Sequence, residues 1–146
     1  MKIQDAFKDF LKSQFAPRMR ELGFRGSGQK YSLPSDNYFM QIGIQKSMYS
    51  DSNEIRFTLN IQKIEKTKWE EARSKRDYLS AKPSPNTHEC VGTTKRIGLM
   101  TPENLDKWWT YGLDARELDI LEEVTGLIQT YAFPLFENHL NHKAQQ

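Results

Sequence analysis

The sequence predicts an α+β fold, a two-layer sandwich in which an antiparallel sheet of three or four strands packs against N- and C-terminal helices on one face. Two observations predict it. Apolar residues recur at helical spacing near both ends of the chain, and between them they alternate with polar residues at every second position. The length of 146 residues suits one domain, which we place at residues 1–142, with a frayed tail at residues 143–146.

The first element is predicted to be a helix from about Gln4 to Leu22, because apolar residues recur there every three or four positions. Pro17 lies inside this helix and cannot donate a backbone hydrogen bond, so we expect a kink or a fresh helix start there. Gly23 directly follows Leu22, and glycine at this position typically ends a helix.

Three strands are predicted next, at residues 29–33, 38–46 and 54–64, separated by turn-forming residues. In the two longer strands, apolar and polar side chains alternate, so the sheet has one apolar and one polar face. The apolar set is Met40, Ile42, Ile44, Ile55, Phe57, Leu59 and Ile61, and the polar set is Gln41, Gly43, Gln45, Ser47, Arg56, Thr58, Asn60 and Gln62. We expect helices to cover only the apolar face and solvent to cover the polar face.

A surface helix is predicted over residues 66–79 and a loop over residues 80–87. A fourth strand is predicted within residues 91–100. If Val91, Ile97 and Leu99 face the core, Arg96 lies on the polar face of the sheet with Gln45 and Asn60, whereas a slip of one residue would reverse the two faces.

The last helix is predicted to begin at a capping box formed by Asp114 and Glu117. Apolar residues then repeat at helical spacing as far as Tyr131, and Pro134 is expected to kink or restart the helix.

The composition fits a small folded domain with a polar surface. Only 37% of the residues are hydrophobic, but eight Phe, six Tyr and three Trp can bury the area that a disordered chain lacks. No apolar run approaches the ~20 residues of a membrane span, so we expect no membrane partner. The single cysteine, Cys90, excludes an internal disulfide and predicts a reducing, cytoplasmic location.

Two segments resemble chemical motifs but lack essential parts. Residues 23–30 have the glycine spacing of a phosphate loop, but Gln29 replaces its lysine and the segment runs from helix to strand. In His88–Cys90, a cysteine nucleophile would need a histidine oriented by a third group. His139 and His142 have too few neighbouring ligands for a metal. We therefore predict no cofactor, no metal site and no catalytic residue.

Charge is unevenly distributed along the chain. Residues 63–96 carry nine Lys or Arg against five Asp or Glu, whereas residues 97–142 carry two against eight. The basic segment could bind nucleic acid weakly, but acidic residues are interleaved with its lysines and arginines. Because phosphate binding depends on clustered, uncompensated charge, we do not expect nucleic acid to be the main partner.

Trp108 and Trp109 are adjacent on a predicted connector, beside Lys107 and Tyr111. Tryptophan is enriched among residues that anchor protein interfaces, and its ring can also stack on nucleic-acid bases. The alternative is that one or both rings close the end of a thin core. The sequence leaves both interpretations open.

Six short segments, in this order and spacing, carry a family resemblance. They are Glu21–Arg25 (ELGFR), Ile42–Ser47 (IGIQKS), Phe57–Ile61 (FTLNI), Lys95–Gly98 (KRIG), Asp106–Trp109 (DKWW) and Tyr131–Phe136 (YAFPLF). Together they resemble the mainly bacterial family known as domain of unknown function 4304, over roughly residues 5–137, with residues 66–87 matching least. The resemblance implies a small single-domain fold and brings no established activity.

The polar residues within these segments have two explanations. Gln45, Asn60 and Arg96 hydrogen-bond with one another and with loop backbone, holding the strands in register, or they line a shallow groove that receives a partner. In the second case the two tryptophans would lie at the rim. The candidate binding residues are Gln45, Ser47, Asn60, Arg96, Trp108 and Trp109.

The leading functional hypothesis is a non-catalytic cytoplasmic module that binds a protein through the polar face and the two tryptophans, as an immunity or antitoxin-like factor. It follows from the small size and the missing catalytic groups. One alternative is an enzyme or small-ligand binder that holds a small or phosphorylated molecule with Gln45, Asn60 and Arg96. A further alternative is weak nucleic-acid binding through residues 63–96.

Overall fold

One antiparallel six-stranded sheet and five helices occupy the part of the chain covered by the computed structural model, the backbone of residues 2–144 and the side chains of residues 2–138. The helices are α1 (Ile3–Phe10), α2 (Ala16–Glu21), α3 (Lys66–Lys75), α4 (Glu117–Leu127) and α5 (Phe133–Ala144). The strands are β1 (Arg25–Ser27), β2 (Lys30–Leu33), β3 (Tyr38–Lys46), β4 (Glu54–Glu65), β5 (Thr93–Arg96) and β6 (Trp109–Gly112). His139, His142 and the predicted tail at residues 143–146 lie outside the described side chains.

The predicted α+β class is confirmed, with more strands than the three or four expected. The strand order is β1–β2–β3–β4–β5, and β6 pairs with the edge of β4 that β5 also uses. Asn60 of β4 pairs with Arg96 of β5, and Phe57 of β4 pairs with Trp109 of β6. β1 and β6 are too short to show alternation. β1 forms a tight hairpin with β2, whereas β6 pairs with β4, which is distant along the chain.

The N- and C-terminal helical segments each contain a π turn that ends two residues before a proline. Leu11–Phe15 joins α1 to α2 ahead of Pro17, and Ile128–Ala132 joins α4 to α5 ahead of Pro134. The amide that follows each π turn bonds to a carbonyl five residues back. A proline has no backbone N–H and cannot donate the next hydrogen bond of the helix. The wider π turn accommodates this missing bond, so the helix continues past the proline.

The main core lies between the apolar face of the sheet and the terminal helices. Aromatic rings make up its centre: Phe7 lies 5.2 Å from Phe57 and 5.3 Å from Tyr111, centroid to centroid, and Phe10 stacks on Tyr111 at 5.4 Å. The apolar strand residues predicted from the alternation are all buried here. The alternation therefore predicted the core face of the sheet correctly.

The expectation that the polar face meets solvent is wrong. The side chains of Gln41, Asn60 and Gln62 are only 4%, 6% and 1% exposed. They are covered by residues 76–92, which connect α3 to β5 and which we call the strap. Gln41 donates to the Pro83 carbonyl oxygen at 2.8 Å, and Gln62 donates to that of Ser84 at 3.0 Å. Strap carbonyls therefore take the place of water on this face.

Gly43 allows the strap to approach the sheet closely. A Cβ at this position would lie 2.8 Å from Cγ of Asn86 and 2.9 Å from Cγ of Pro85. Asn86 uses this space to donate to the Ile44 carbonyl oxygen at 3.2 Å and to accept from Asn60 at 3.0 Å. The polar alternation thus encodes a second packed face, held by hydrogen bonds.

A small apolar cluster fixes the start of the strap. Trp69 of α3 packs with Ile64 and Leu79, and its indole nitrogen donates to the Ser80 carbonyl oxygen at 3.1 Å. Because Ile64 belongs to the same face as Gln62, α3 lies on the opposite side of the sheet from the terminal helices. The predicted helix over residues 66–79 ends earlier, at Lys75.

The predicted capping box at the start of α4 is wrong. No side chain caps this helix, which begins at Glu117 itself. The Glu117 carboxylate instead accepts from the Tyr111 hydroxyl at 2.6 Å and from the Gln14 side-chain amide at 2.8 Å. The Tyr111 hydroxyl also lies 3.1 Å from the Ala6 carbonyl oxygen. Glu117 therefore joins α4 to the N-terminal helix and the sheet.

Two buried tyrosines differ in whether their side-chain hydroxyl forms a hydrogen bond. Replacing each by phenylalanine therefore gives a matched pair of variants. Tyr111→Phe is expected to lower the free energy of unfolding by about 1.5 kcal/mol, because Glu117 loses a donor. Tyr31→Phe is expected to leave it unchanged or raise it by up to about 1 kcal/mol, because the Tyr31 hydroxyl has no hydrogen-bond partner within the described residues. Urea denaturation of both variants measures the difference.

Both tyrosines are uncharged at neutral pH, so the two phenylalanine variants can be compared without a change in charge. Burial raises the pKa of Tyr31 to about 12, against the opposing positive charge of Arg20. Burial, together with the hydrogen bond to Glu117 and its charge, raises the pKa of Tyr111 above its usual range. Both hydroxyls therefore stay neutral at pH 7, and equal effects of the two substitutions there would contradict the roles that we assign to them.

Candidate functional site

Three of the predicted site residues meet at one end of the strap. Asn60 donates to the side-chain oxygen of Gln45 at 2.9 Å, and Arg96 is its cross-strand partner. They border an opening of about 310 Å³, which we call the polar groove. Its lining residues are Gln45, Asn60, Asn86, His88, Thr94, Lys95, Arg96 and Leu99. Gln45 and Asn60 hydrogen-bond to one another, as the first explanation predicts, whereas the Arg96 side chain bonds to Asp106. All three line the groove that the second explanation requires, and its role in binding a partner stays a prediction.

Arg96 is held in place by two neighbours. Its guanidinium donates to the Asp106 carboxylate at 2.7 Å and lies 5.0 Å from the centroid of the Trp108 ring. The face predicted for Arg96 is correct, because it shares a face with Asn60 while Ile97 is buried in the core. The accompanying prediction for Val91 and Leu99 is wrong, because Val91 packs against the cluster of Ile64 and Trp69 and Leu99 lines the polar groove. A guanidinium fixed by a carboxylate and an aromatic ring loses little further freedom on binding.

The segment between β5 and β6, residues 97–108, leaves the sheet and returns to it, and we call it the excursion. It begins with a 3₁₀ turn at Ile97–Met100. Near its end, Thr58 of β4 donates to the Lys107 carbonyl oxygen at 2.6 Å. The excursion therefore projects from one edge of the sheet while both of its ends stay bonded to β4.

A second groove lies on the other side of the excursion, with a volume of about 470 Å³, and we call it the tryptophan groove. Its lining residues are Gly98, Thr101, Glu103, Leu105, Asp106, Lys107, Trp108, Glu123 and Leu127. Arg96 borders the polar groove and Trp108 borders the tryptophan groove, so the stacked pair separates the two. The ion pair between Lys107 and Glu123, at 2.6 Å, compensates two of the charges on this side, whereas Glu103 is in none of the ion pairs among the described side chains.

The other two predicted site residues lie elsewhere. Trp109 is buried in the core, where its ring stacks on Phe57 with a centroid distance of 5.7 Å. Of the two adjacent tryptophans, only Trp108 reaches the surface. Ser47 begins the turn between β3 and β4, where its hydroxyl accepts from the Tyr49 amide at 3.0 Å, and it does not line the polar groove.

The segment His88–Cys90 lies on the strap beside the polar groove. His88 is exposed and lines the groove, whereas Cys90 is exposed with a positive φ of 59°. Among the side chains of residues 2–138, no three His, Cys, Asp or Glu come together in a way that could hold a metal ion. No helix within the described backbone is long and apolar enough to cross a membrane.

A larger cleft was not predicted from the sequence. It has a volume of about 640 Å³ and lies between the N-terminal helix and the β1–β2 turn, and we call it the N-terminal cleft. Its lining residues are Phe7, Lys8, Leu11, Lys12, Ala16, Arg20, Ser27, Gly28, Gln29 and Lys46. They come from three separate segments, so only the spacing of Lys8 and Lys12 beside Phe7 and Leu11 could have indicated it.

The family comparison covers most of the chain. The sequence model of the family described as "Domain of unknown function (DUF4304)" matches residues 15–138. The chain belongs to the DUF4304 family. Both grooves of this DUF4304 protein lie within the matched residues, whereas Phe7, Lys8 and Lys12 of the N-terminal cleft precede them. No curated protein and no solved structure matches the chain.

Proposed function

We propose that this DUF4304 protein is a non-catalytic protein-interaction module that binds its partner through the excursion and the two grooves beside it. The observation that carries the proposal is an exposed leucine next to a tryptophan–arginine stack. Leu105 is 68% exposed, and it lines the same groove as the half-buried Trp108. Tryptophan and arginine dominate the energetics of protein interfaces, and an exposed leucine in the same groove adds apolar area that a partner can bury.

The charges of this surface indicate what kind of partner segment it takes. Arg96 is paired with Asp106, and Lys107 is paired with Glu123, so the two cations beside Trp108 already have carboxylate partners. An additional charge from the partner would be desolvated there without a counterion. We therefore propose an uncharged partner segment that inserts an apolar side chain beside Leu105 and presents backbone amides to Gln45.

The alternative of a small polar ligand held by Gln45, Asn60 and Arg96 has less support. The Asn60 side-chain amide already donates to Gln45 and to Asn86. Arg96 is likewise engaged by its carboxylate partner and by the Trp108 ring. Asn60 and one guanidinium nitrogen of Arg96 are therefore already engaged within the fold, so we place this alternative second.

Nucleic-acid binding through residues 63–96 also has less support. Lys63 donates to the Leu135 carbonyl oxygen at 3.0 Å and Lys66 donates to that of Ser35 at 2.7 Å, so both are engaged within the fold. Arg73 is paired with Glu70 at 3.0 Å. The number of cations that this segment can offer to phosphates is therefore smaller than its sequence suggests.

We also propose that the protein works in the cytoplasm as an immunity or antitoxin-like factor, which is one form that such an interaction can take. The exposed thiol of Cys90 supports a reducing compartment. A partner that is toxic when expressed alone and harmless when co-expressed with this protein would support the role. A partner without toxicity would limit the proposal to the interaction itself.

Site-specific photo-crosslinking tests the interaction. Benzoylphenylalanine at Leu105 is expected to capture one protein that the same group at Tyr78, 69% exposed on the strap, does not capture. With that protein purified, Trp108→Ala is expected to weaken binding by about 30-fold or more, as for an interface hot spot. Tyr78→Ala should change the affinity less than about twofold. Equal affinities for the two alanine variants would overturn the proposal.

A further inference from the structure

The N-terminal cleft combines an apolar floor with a rim of positive charge. We propose that it binds an anionic amphiphile, a molecule with a carboxylate or phosphate group on an aliphatic or aromatic body. This ligand site is separate from the excursion, and the cleft shares no lining residue with either groove.

The floor is formed by the N-terminal helix. Phe7, Leu11 and Ala16 line the cleft although each is almost fully buried by the rest of the fold, so they present only an edge of apolar surface. The volume of about 640 Å³ falls in the range of small-molecule sites, which is roughly 300–1,000 Å³. An apolar body of moderate size can therefore be desolvated in this cleft.

The rim carries four cations: Lys8, Lys12, Arg20 and Lys46. No acidic residue is among the lining residues of the cleft, and none of the ion pairs found within the described side chains involves these four. Their positive charge therefore lacks a carboxylate partner there. Clefts lined by one sign of charge focus the field and attract ligands of the opposite sign.

The hydrogen bonds that two of these cations make go to neutral acceptors. Lys46 donates to the side-chain oxygen of Gln4 at 3.3 Å, and Arg20 donates to the Gly26 carbonyl oxygen at 3.2 Å. Such bonds position the cations without neutralising them. Lys8 and Lys12 are one helical turn apart and exposed, so both can reach one anionic group at the mouth of the cleft.

The two features together select the ligand. A simple anion such as inorganic phosphate would use the cations and leave the apolar floor in water, whereas a neutral hydrocarbon would use the floor alone. Only a molecule with both parts satisfies the cleft. The same chemistry occurs in free fatty acids or alkyl phosphates and in anionic lipids of a bilayer, and the test must separate these sources.

The test measures binding of decanoate and decyl phosphate, below their micelle-forming concentrations, to the full chain by calorimetry. We expect both to bind, and decanol and inorganic phosphate to bind at least about tenfold more weakly. Methyl NMR signals of Leu11 and Ala16 should shift on binding. Vesicles of phosphatidylglycerol form the second arm. Binding to vesicles without binding to the soluble amphiphiles would overturn the proposal of a cleft ligand.

A charge-matched pair of double variants locates the site. Lys8→Glu with Lys12→Glu is expected to weaken decyl phosphate binding by about 10- to 100-fold, since two charge-assisted contacts become repulsive. Lys68→Glu with Lys75→Glu, both exposed on α3, changes the net charge equally and should alter the affinity less than about twofold. Equal weakening in the two double variants, or affinity for inorganic phosphate matching that for decyl phosphate, would overturn the proposal.

Discussion

Trp69→Ala is expected to lower the free energy of unfolding by about 3–5 kcal/mol, the usual cost of removing a buried aromatic side chain. Trp69 is fully buried against Ile64 and Leu79, and its indole also bonds to the Ser80 carbonyl. These contacts hold the start of the strap. Loss of the ring should therefore also weaken the cover over Gln41 and Gln62.

Two measurements test the Trp69 prediction. Urea denaturation gives the change in stability, and hydrogen exchange should show faster opening of strap amides than of amides in the main core. Trp69→Phe keeps most of the apolar contact and should cost clearly less. Tyr78→Ala, at an exposed position on the strap, should change the free energy of unfolding by less than about 0.5 kcal/mol. A loss below about 1 kcal/mol for Trp69→Ala would contradict the anchoring role.

Gly98→Ala is expected to cost about 2–3 kcal/mol, because the excursion folds back onto this glycine. A Cβ at Gly98 would clash with the carbonyl oxygen of Leu105 and lie 2.6 Å from the amide nitrogen of Lys107. Both are backbone atoms, so no side-chain rotation relieves the clash. The excursion would have to open, and the position of Trp108 would change with it.

Gly126→Ala is the matched control for Gly98→Ala. Gly126 lies inside α4, where a Cβ would meet nothing within 4 Å, so alanine is expected to raise stability by about 0.5–1 kcal/mol through helix propensity. Thermal unfolding of the two variants should therefore shift in opposite directions. A Gly98→Ala variant as stable as the unsubstituted chain would show that the excursion does not close on Gly98.

The alternation of side chains predicted the apolar face of the sheet and the face of Arg96 correctly, because both follow from the period of an extended strand. It did not predict the strap. Polar side chains alternate in the same way whether they meet water or the carbonyls of Pro83 and Ser84. Only the position of residues 76–92 in space decides between these two cases.

The prediction of a capping box at the start of α4 was wrong for a related reason. Asp114 and Glu117 have the spacing of such a box, but Glu117 finds stronger partners in Tyr111 and Gln14. Gln14 is distant along the chain, so the local pattern could not include it. The N-terminal cleft was not predicted for the same reason, because Lys46 comes close to Lys8 and Lys12 only in the folded structure.

The anchoring of the excursion places the proposed binding surface on a frame that the sheet holds independently. Arg96 and Trp109 are fixed on β4 through Asn60 and Phe57, so the frame on either side of the excursion is set by the sheet. The exposed tip at residues 102–104 contributes little to that frame. Loops carried by rigid scaffolds tolerate substitution. Under the proposed function, substitutions at this tip are expected to change the affinity for the partner while the scaffold keeps its stability.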